Sequence, residues 1–245
     1  NLAICGNNLS TNLNSLLIGS QAGGTWTAPG GVPFSGFYDP AVDASGVYTY
    51  TVAGIAPCAS DQATVTVSEN TPPIAGADAS ITLCSTSPAT ALFPLLVGAQ
   101  GGGTWSAPGN VAFSGTYDPA VNAPGLYTYA IPGVVPCLSD AAFVTVTENQ
   151  QPAAGADADL VLCGDSPSIA LFPLLVGGQA GGTWTAPGGA AFGGTYDPAL
   201  NGPGAYTYTL IGNAPCVNDQ AVLTVTENTV PDAGADGALT VCGNS

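Results

Sequence analysis

The stretch Asn122-Ala123-Pro124-Gly125-Leu126-Tyr127-Thr128-Tyr129 occurs in three versions along this chain. Its equivalents are residues 43–50 and 201–208, and each version places an Asx residue and a glycine ahead of two tyrosines separated by one residue. Alternating Tyr and Thr side chains are typical of a half-buried β-strand. The Asx residue and the glycine indicate a tight turn that leads into this strand.

The whole sequence repeats with a period of 79 residues, as Cys5, Cys84, Cys163 and Cys242 demonstrate. Tryptophan, a second cysteine and a glutamate recur at the same spacing, at Trp26, Trp105 and Trp184, Cys58, Cys137 and Cys216, and Glu69, Glu148 and Glu227. Such a period indicates a tandem array of one supersecondary unit. We predict repeats at residues 1–70, 71–149 and 150–228, with a fourth beginning at 229–245, and a chain that is a segment of a longer polypeptide.

The charge composition excludes several classes of function. Lysine, arginine and histidine are absent, and sixteen Asp and Glu give a formal net charge of −16. Nucleic acids and anionic membranes bind basic surfaces, so neither is an expected partner. General acid–base catalysis usually needs histidine or a tuned lysine, and a cysteine nucleophile needs a base or a nearby cation. The sequence therefore predicts a protein that is not an enzyme.

Seven cysteines without a Cys-x-x-Cys spacing indicate disulfides and an extracellular location. Pairing within each repeat would join Cys5 to Cys58, Cys84 to Cys137 and Cys163 to Cys216. The alternative joins Cys58 to Cys84 and Cys137 to Cys163, but the strand predicted at 142–147 would carry the chain roughly 20 Å away. We therefore expect the pairing within repeats, with the partner of Cys242 downstream of the sequence.

The pattern of short apolar segments and turns predicts an all-β fold of small immunoglobulin-like β-sandwiches. The spacing of the quoted stretch resembles the tyrosine corner of such sandwiches, with Tyr48, Tyr127 and Tyr206 as the corner residues. The three tryptophans fit the core position of a central strand. Tyr129 stands where antibody domains place their second cysteine, so the antibody-type disulfide is excluded. The stretches 69–78, 148–157 and 227–236 contain Pro and Ala-Gly-Ala-Asp, and they are interpreted as short linkers.

Acidic residues of the linkers are candidate calcium ligands, since hard oxygen ligands between tandem domains could hold the ion and stiffen the joint. The competing interpretation is solvated acids that keep the surface soluble. Asp61, Asp140 and Asp219 are interpreted as turn residues of the final hairpin. The candidate calcium ligands are Glu69, Asp78, Glu148, Asp157, Asp159, Glu227, Asp232 and Asp236.

The aromatic residues admit two interpretations, stacking platforms for sugar rings or fillers of the core. Their repeated positions within predicted strands favour the core. Apolar surfaces of the repeats also suggest lateral association with other chains.

The succession Gly-Gly-Thr-Trp, Tyr-Asp-Pro, Gly-x-Tyr-Thr-Tyr and Pro-Cys, at residues 102–105, 117–119, 125–129 and 136–137, resembles tandem immunoglobulin-like or PKD-like repeats of large Bacteroidota surface proteins. Some of those proteins are gliding-motility adhesins exported by the type IX secretion system. The resemblance implies a stalk or fibre segment of a cell-surface adhesin, whose partners are the neighbouring repeats. A self-assembling extracellular filament or sheath is the second hypothesis, and an array of carbohydrate-binding modules is the third.

Overall fold

The computed structural model describes residues 1–243, and the chain is all-β with three short 3-10 helices. Each sequence repeat contributes seven strands. The first repeat contains β1 (Leu2–Cys5), β2 (Thr11–Asn12), β3 (Thr25–Thr27), β4 (Pro33–Phe34), β5 (Phe37–Tyr38), β6 (Gly46–Val52) and β7 (Asp61–Asn70), with a 3-10 helix at Leu13–Leu16.

The second and third repeats reproduce this order. The second contains β8 (Ala79–Cys84), β9 (Thr90–Ala91), β10 (Thr104–Ala107), β11 (Val111–Phe113), β12 (Thr116–Tyr117), β13 (Gly125–Ile131) and β14 (Asp140–Asn149), with a 3-10 helix at Phe93–Leu95. The third contains β15 (Ala158–Cys163), β16 (Ile169–Ala170), β17 (Thr183–Thr185), β18 (Ala191–Phe192), β19 (Thr195–Tyr196), β20 (Gly204–Leu210) and β21 (Asp219–Asn228), with a 3-10 helix at Phe172–Leu174.

Each repeat forms a five-stranded sheet and a separate two-stranded one. In the first repeat the large sheet has the order β1-β7-β6-β3-β4, and β2 pairs with β5. The orders β8-β14-β13-β10-β11 and β15-β21-β20-β17-β18 are the same arrangement in the other repeats. This topology is the immunoglobulin-like sandwich that the sequence predicts.

One strand pair in the large sheet is parallel. β1 runs alongside β7 in the same direction, and β15 runs alongside β21 in the same way, whereas β6 with β7 and β20 with β21 are antiparallel. The first strand of the repeat therefore ends where the last strand ends.

The compact units of the chain do not follow the sequence repeats. Residues 1–81 and 89–147 form one unit, and residues 82–88 with Glu148 onward form the other. The end of the first strand of repeat 2 thus belongs to the unit that contains repeat 3. The boundaries at 70, 149 and 228 mark the sequence period and stay a prediction.

Aromatic side chains fill the core of each repeat. Trp26 and Tyr48 are buried in the first repeat, and Trp184 and Tyr206 are buried in the third. Trp105 is half-buried and lies 5.1 Å from Tyr129, measured between ring centroids. These positions match the core interpretation of the tryptophans.

The corner tyrosines bind the turn that precedes their strand. The hydroxyl of Tyr48 donates to the carbonyl of Ala44 at 2.6 Å, and that of Tyr127 donates to Ala123 at 2.7 Å. Tyr206 donates to Gly202 at 2.8 Å. The tyrosine-corner geometry expected from the spacing is present in all three repeats.

Removing a core side chain should destabilise the third repeat. Leu171 is fully buried, so Leu171→Ala should lower the free energy of unfolding by about 2–5 kcal/mol. Urea unfolding followed by circular dichroism measures the change. Leu200, which is 82% exposed in the same repeat, provides the matched control, and Leu200→Ala should change stability little. Equal effects of the two variants would contradict the packing described here.

Candidate functional site: the joints between repeats

The disulfides join one repeat to the next. Cys5 of repeat 1 is bonded to Cys137 of repeat 2, with 4.9 Å between the Cα atoms and a sequence separation of 132 residues. Cys84 of repeat 2 is bonded to Cys216 of repeat 3 with the same separation. Both joints therefore carry an equivalent covalent crosslink.

The predicted pairing within repeats, Cys5–Cys58, Cys84–Cys137 and Cys163–Cys216, is wrong. So is the alternative that joins Cys58 to Cys84 and Cys137 to Cys163. Cys58, Cys163 and Cys242 are free thiols.

The parallel first strand explains the error. Cys5 pairs in register with Asn70, the last residue of β7, so it lies at the end of the repeat from which the chain leaves. Cys58 precedes β7, whose ten residues place it roughly 30 Å away at about 3.3 Å per residue. A bridge tolerates only about 4–7 Å between Cα atoms, so Cys5 and Cys58 cannot be joined. The sequence does not reveal that β1 is parallel to β7.

Residues 71–78, interpreted from the sequence as a linker, are docked onto repeat 2. The amide of Ala77 donates to the carbonyl of Val97 at 3.0 Å, and the amide of Gln100 donates to the carbonyl of Ile74 at 2.9 Å. Ala75 is fully buried. We call residues 71–78 and their equivalents, 150–157 and 229–236, the joining segments.

Side chains of repeat 2 complete this docking. The Asp140 carboxylate accepts the Ala75 amide at 2.7 Å, and the side-chain oxygen of Gln100 accepts the Ile74 amide at 3.1 Å. In return, the Asp78 carboxylate accepts the Phe143 amide at 2.8 Å. The joining segment is thus a structural part of the repeat that follows it.

Repeat 3 receives the joining segment 150–157 through the same contacts. Ala154 is fully buried, and its amide donates to the Asp219 carboxylate at 2.7 Å. The Asp157 carboxylate accepts the Val222 amide at 2.8 Å, and the Gln179 amide donates to the Ala153 carbonyl at 2.8 Å. Two independent copies of the site therefore have one geometry.

An asparagine beside each disulfide adds a further contact between repeats. The side-chain nitrogen of Asn70 donates to the carbonyl of Val135 at 2.8 Å, and that of Asn149 donates to Ala214 at 2.7 Å. Both acceptors precede a cis-proline, Pro136 or Pro215, next to the bonded cysteine. The Pro-Cys turn of one repeat thus contacts the end of the repeat before it.

Sequence reasoning missed the roles of Asp140 and Asp219, which were interpreted as turn residues but bind the joining segment. It also missed Gln100, Gln179 and the asparagines. Ala-Gly-Ala-Asp recurs unchanged in all three joining segments, and a solvated linker would not need that constancy.

The candidate calcium ligands are engaged separately. Asp78 and Asp157 accept backbone amides, while Glu69 and Glu227 accept tyrosine hydroxyls from Tyr38 and Tyr196 at 2.9 and 3.0 Å. Glu148 accepts the side-chain amide of Gln150, Asp232 accepts the Gly234 amide, and Asp159 and Asp236 are exposed. Within residues 1–243, no three acidic, cysteine or histidine side chains are grouped as metal ligands. The linker acids are therefore not assembled into the predicted calcium site.

The tyrosine–glutamate pairs sit at the end of the last strand of repeats 1 and 3. Burial raises the pKa of Tyr196 to about 12, and its hydrogen bond to Glu227 and the charge of that carboxylate contribute further. The same causes, with Glu69 as the partner, raise the pKa of Tyr38. Both phenols therefore stay neutral donors to a carboxylate far above neutral pH.

Comparison with known proteins gives structural similarity only. No family profile and no curated protein matches the chain. A titin I-band fragment, I67–I69, covers 93% of this chain and 95% of its own, with 13% identity and a TM-score of 0.48. An E-to-A variant of three titin domains has 12% identity over 92% of this chain and 95% of its own, with a TM-score of 0.45. Sidekick-1 immunoglobulin domains 1–5 have 15% identity over 93% of this chain and 57% of their own, with a TM-score of 0.32.

No helix among residues 1–243 has the length and apolar character needed to cross a membrane.

Removing the Asp219 carboxylate should loosen the second joint. Asp219→Ala leaves the buried Ala154 amide without its acceptor, a loss of about 1–3 kcal/mol. Hydrogen exchange at Ala154 should accelerate roughly ten- to hundredfold, and mass spectrometry of the 150–157 region measures it. Asp165 is exposed, so Asp165→Ala is the control and should leave that exchange unchanged. Unaltered exchange in Asp219→Ala would mean that the carboxylate does not hold the segment.

The raised pKa of Tyr196 should appear as a loss of stability at high pH. The neutral phenol is favoured in the folded state. Its contribution to the free energy of unfolding is therefore complete below about pH 10, the ordinary pKa of tyrosine, and disappears as the pH rises towards about 12. A rapid pH-jump titration of phenolate absorbance should show one group fewer titrating near pH 12 in Tyr196→Phe. If that variant instead lost a group titrating near pH 10, the assignment would be wrong.

Proposed function

We propose that this chain is a mechanical segment of an extracellular protein, a disulfide-locked array that holds other parts of the polypeptide apart. The observation that carries the proposal is the construction of the joints. Each has a disulfide, a docked joining segment and an asparagine contact. A chain of independent domains on flexible linkers would need none of these contacts.

The two disulfides overlap along the sequence, which suits a chain under tension. One closes residues 5–137 and the other closes residues 84–216. Tension applied to the ends is carried covalently from Cys5 to Cys137, along the 84–137 segment, and from Cys84 to Cys216. While both disulfides are intact, unfolding therefore cannot add the length of residues 5–84 or 137–216 to the stretched chain.

The proposed location is extracellular. Disulfides that are structural persist in oxidising compartments, and here they cross-link consecutive repeats. The resemblance of the sequence to surface repeats supports the finer proposal of a stalk or fibre in a cell-surface adhesin. The role is non-catalytic, since the sequence contains no His, Lys or Arg to act as a base or to stabilise an anion.

Carbohydrate binding is a weaker candidate for this chain. Trp26 and Trp184 are buried in the cores and Trp105 is half-buried, so the tryptophans present no exposed stacking row. Stacking on a sugar ring requires an accessible aromatic face.

Single-molecule stretching tests the mechanical proposal. Between residues 5 and 216 the oxidised chain should extend to about 18 nm, because only the 84–137 segment lies in the covalent path, at about 3.3–3.6 Å per residue. After reduction the same portion should reach about 73 nm.

The variant Cys137→Ser serves as the internal control. It opens the first joint only, so its length should fall between the two values. An oxidised chain that extends as far as the reduced one would refute the overlapping crosslinks and the mechanical role that rests on them.

A further inference from the structure

A groove lies at the first joint, between repeat 1, the joining segment 71–78 and repeat 2. Its volume is about 470 Å³, within the range of roughly 300–1,000 Å³ that is usual for small-molecule sites. All of its lining residues belong to one compact unit of the chain. The lining of this groove, which we call the joint groove, includes Asn8, Pro72, Pro73, Ile74, Leu138 and Asp140.

A glutamine side chain lies in the equivalent place at the second joint. Gln151 has the position that Pro72 has one period earlier. Its side-chain nitrogen donates to the carbonyl of Val217 at 3.0 Å, and its side-chain oxygen lies 3.2 Å from the sulfur of Cys84. The backbone amide of Gln151 also donates to the Ser85 hydroxyl at 3.0 Å. The second joint therefore shows that this place accepts a carboxamide group.

The first joint lacks that carboxamide. Pro72 has no amide hydrogen and no polar side chain, and Gly6 stands where Ser85 supplies its hydroxyl. Leu138 is equivalent to Val217, but no donor among residues 1–243 binds the Leu138 carbonyl. The two replacements leave an open groove with a free backbone acceptor where the second joint has a bound carboxamide.

The joint groove combines this acceptor with an apolar wall. Pro73 and Ile74 line the groove and are only partly covered by the protein. A ligand that reproduces the contacts of Gln151 carries an N–H group beside a carbonyl, and a ligand that also uses the apolar wall carries a methyl group next to them. The acetamido group, CH₃–CO–NH, has all three parts.

Polar side chains border the rest of the groove. Asn7, Asn8 and Ser139 line it and are exposed. One oxygen of the Asp140 carboxylate accepts the Ala75 amide at 2.7 Å, so the other oxygen can accept from a ligand. Amide, hydroxyl and carboxylate groups are suited to bind the hydroxyl groups of a sugar ring. Because the chain has a net charge of −16 and no cationic side chain, a neutral ligand is favoured over an anionic one.

We propose that the joint groove binds an N-acetylhexosamine residue of an extracellular glycan. The acetamido N–H donates to the Leu138 carbonyl, the methyl group packs against Pro73 and Ile74, and the sugar hydroxyls bind Asn8 and Asp140. The second joint is closed to this sugar, because Gln151 takes its place there. The inference goes beyond the mechanical role, because it assigns a ligand to one joint.

The rim of the groove favours a sugar over a peptide. The side chain of a glutamine in a partner protein offers the same carboxamide, but it carries no hydroxyl groups for Asn7, Asn8 and Ser139. A sugar ring supplies them from the atoms next to its acetamido group. Recognition through that group also needs no exposed aromatic face, so the buried tryptophans do not conflict with it.

Saturation-transfer NMR with N,N′-diacetylchitobiose as the probe tests this site on the oxidised 245-residue chain. The acetyl methyl protons should receive the strongest saturation. Cellobiose carries hydroxyl groups in place of the acetamido groups, so it should bind roughly tenfold more weakly or not at all. Equal binding of the two disaccharides, or no binding of diacetylchitobiose, would overturn the proposal.

A matched pair of variants locates the ligand. Pro72→Gln supplies the side chain that Gln151 provides at the second joint, so it should occupy the groove and weaken binding roughly tenfold or more. Thr71→Gln adds the same side chain at an exposed position that does not line the groove, and it should bind diacetylchitobiose like the unmodified chain. Equal affinities of the two variants would place the sugar elsewhere and refute the assignment.

Peptide mapping verifies that Pro72→Gln keeps the first joint. Digestion on the amino side of aspartate leaves Cys5 in peptide 1–38 and Cys137 in peptide 118–139, so mass spectrometry detects their linkage. If the variant loses that linkage, Asn8→Ala replaces it, because this change removes a ligand contact and should weaken binding roughly threefold or more. Unchanged affinity in Asn8→Ala would then contradict the proposal.

The peptide Gly-Gln-Gly tests the competing ligand in the same NMR experiment. It should bind more weakly than diacetylchitobiose, because it lacks the hydroxyl groups that the rim binds. Stronger binding of the peptide would overturn the assignment of a sugar. The mechanical proposal depends on the Cys5–Cys137 and Cys84–Cys216 linkages instead, so the two proposals can fail separately.

Discussion

The parallel pairing of the first strand with the last strand is the constraint on which the joints depend. An antiparallel first strand would end at the entry side of the repeat and would bring Cys5 towards Cys58. The parallel strand instead places Cys5 beside Asn70, where the next repeat begins. The cysteine is therefore available to the Pro-Cys turn of the neighbouring repeat. With an antiparallel β1 the disulfide would crosslink residues of a single repeat. Because β1 is parallel to β7, the disulfide connects two consecutive repeats instead.

The absence of cationic side chains directs the acidic residues to other partners. A carboxylate without a lysine or arginine partner can be satisfied by backbone amides or hydroxyl groups. Asp140 and Asp219 each bind a buried amide of the joining segment, and Glu227 binds the hydroxyl of Tyr196. Hydrogen bonds to the charged form of an acceptor are stronger than neutral ones. The acids thus hold the joints together without any salt bridge.

The sequence predicted the repeat and the fold but not the joints. The period, the alternation of Tyr with Thr and the tyrosine-corner spacing are local signals, so the all-β fold and the corner positions follow from them. The disulfide pairing depends on the direction of β1 relative to β7, strands separated by more than fifty residues, and no local pattern records that direction. The docking of Ala75 is similarly hidden, because small residues flanked by proline are typical both of flexible linkers and of segments that fit a narrow groove.

The joints also explain why the period is constant. Between Cys84 and Cys163 the chain forms one period of the repeat. Within this stretch Ala154 must reach its buried position beside the Asp219 carboxylate of repeat 3, while Cys84 stays bonded to Cys216. One inserted residue between Asn149 and Ala154 would displace the alanine from the Asp219 carboxylate or shift the asparagine away from the Ala214 carbonyl. A flexible linker tolerates such insertions, whereas a segment fixed at both ends by hydrogen bonds does not. The strict 79-residue spacing is therefore a consequence of repeats that are held to each other at fixed positions by a disulfide, an asparagine contact and a docked joining segment.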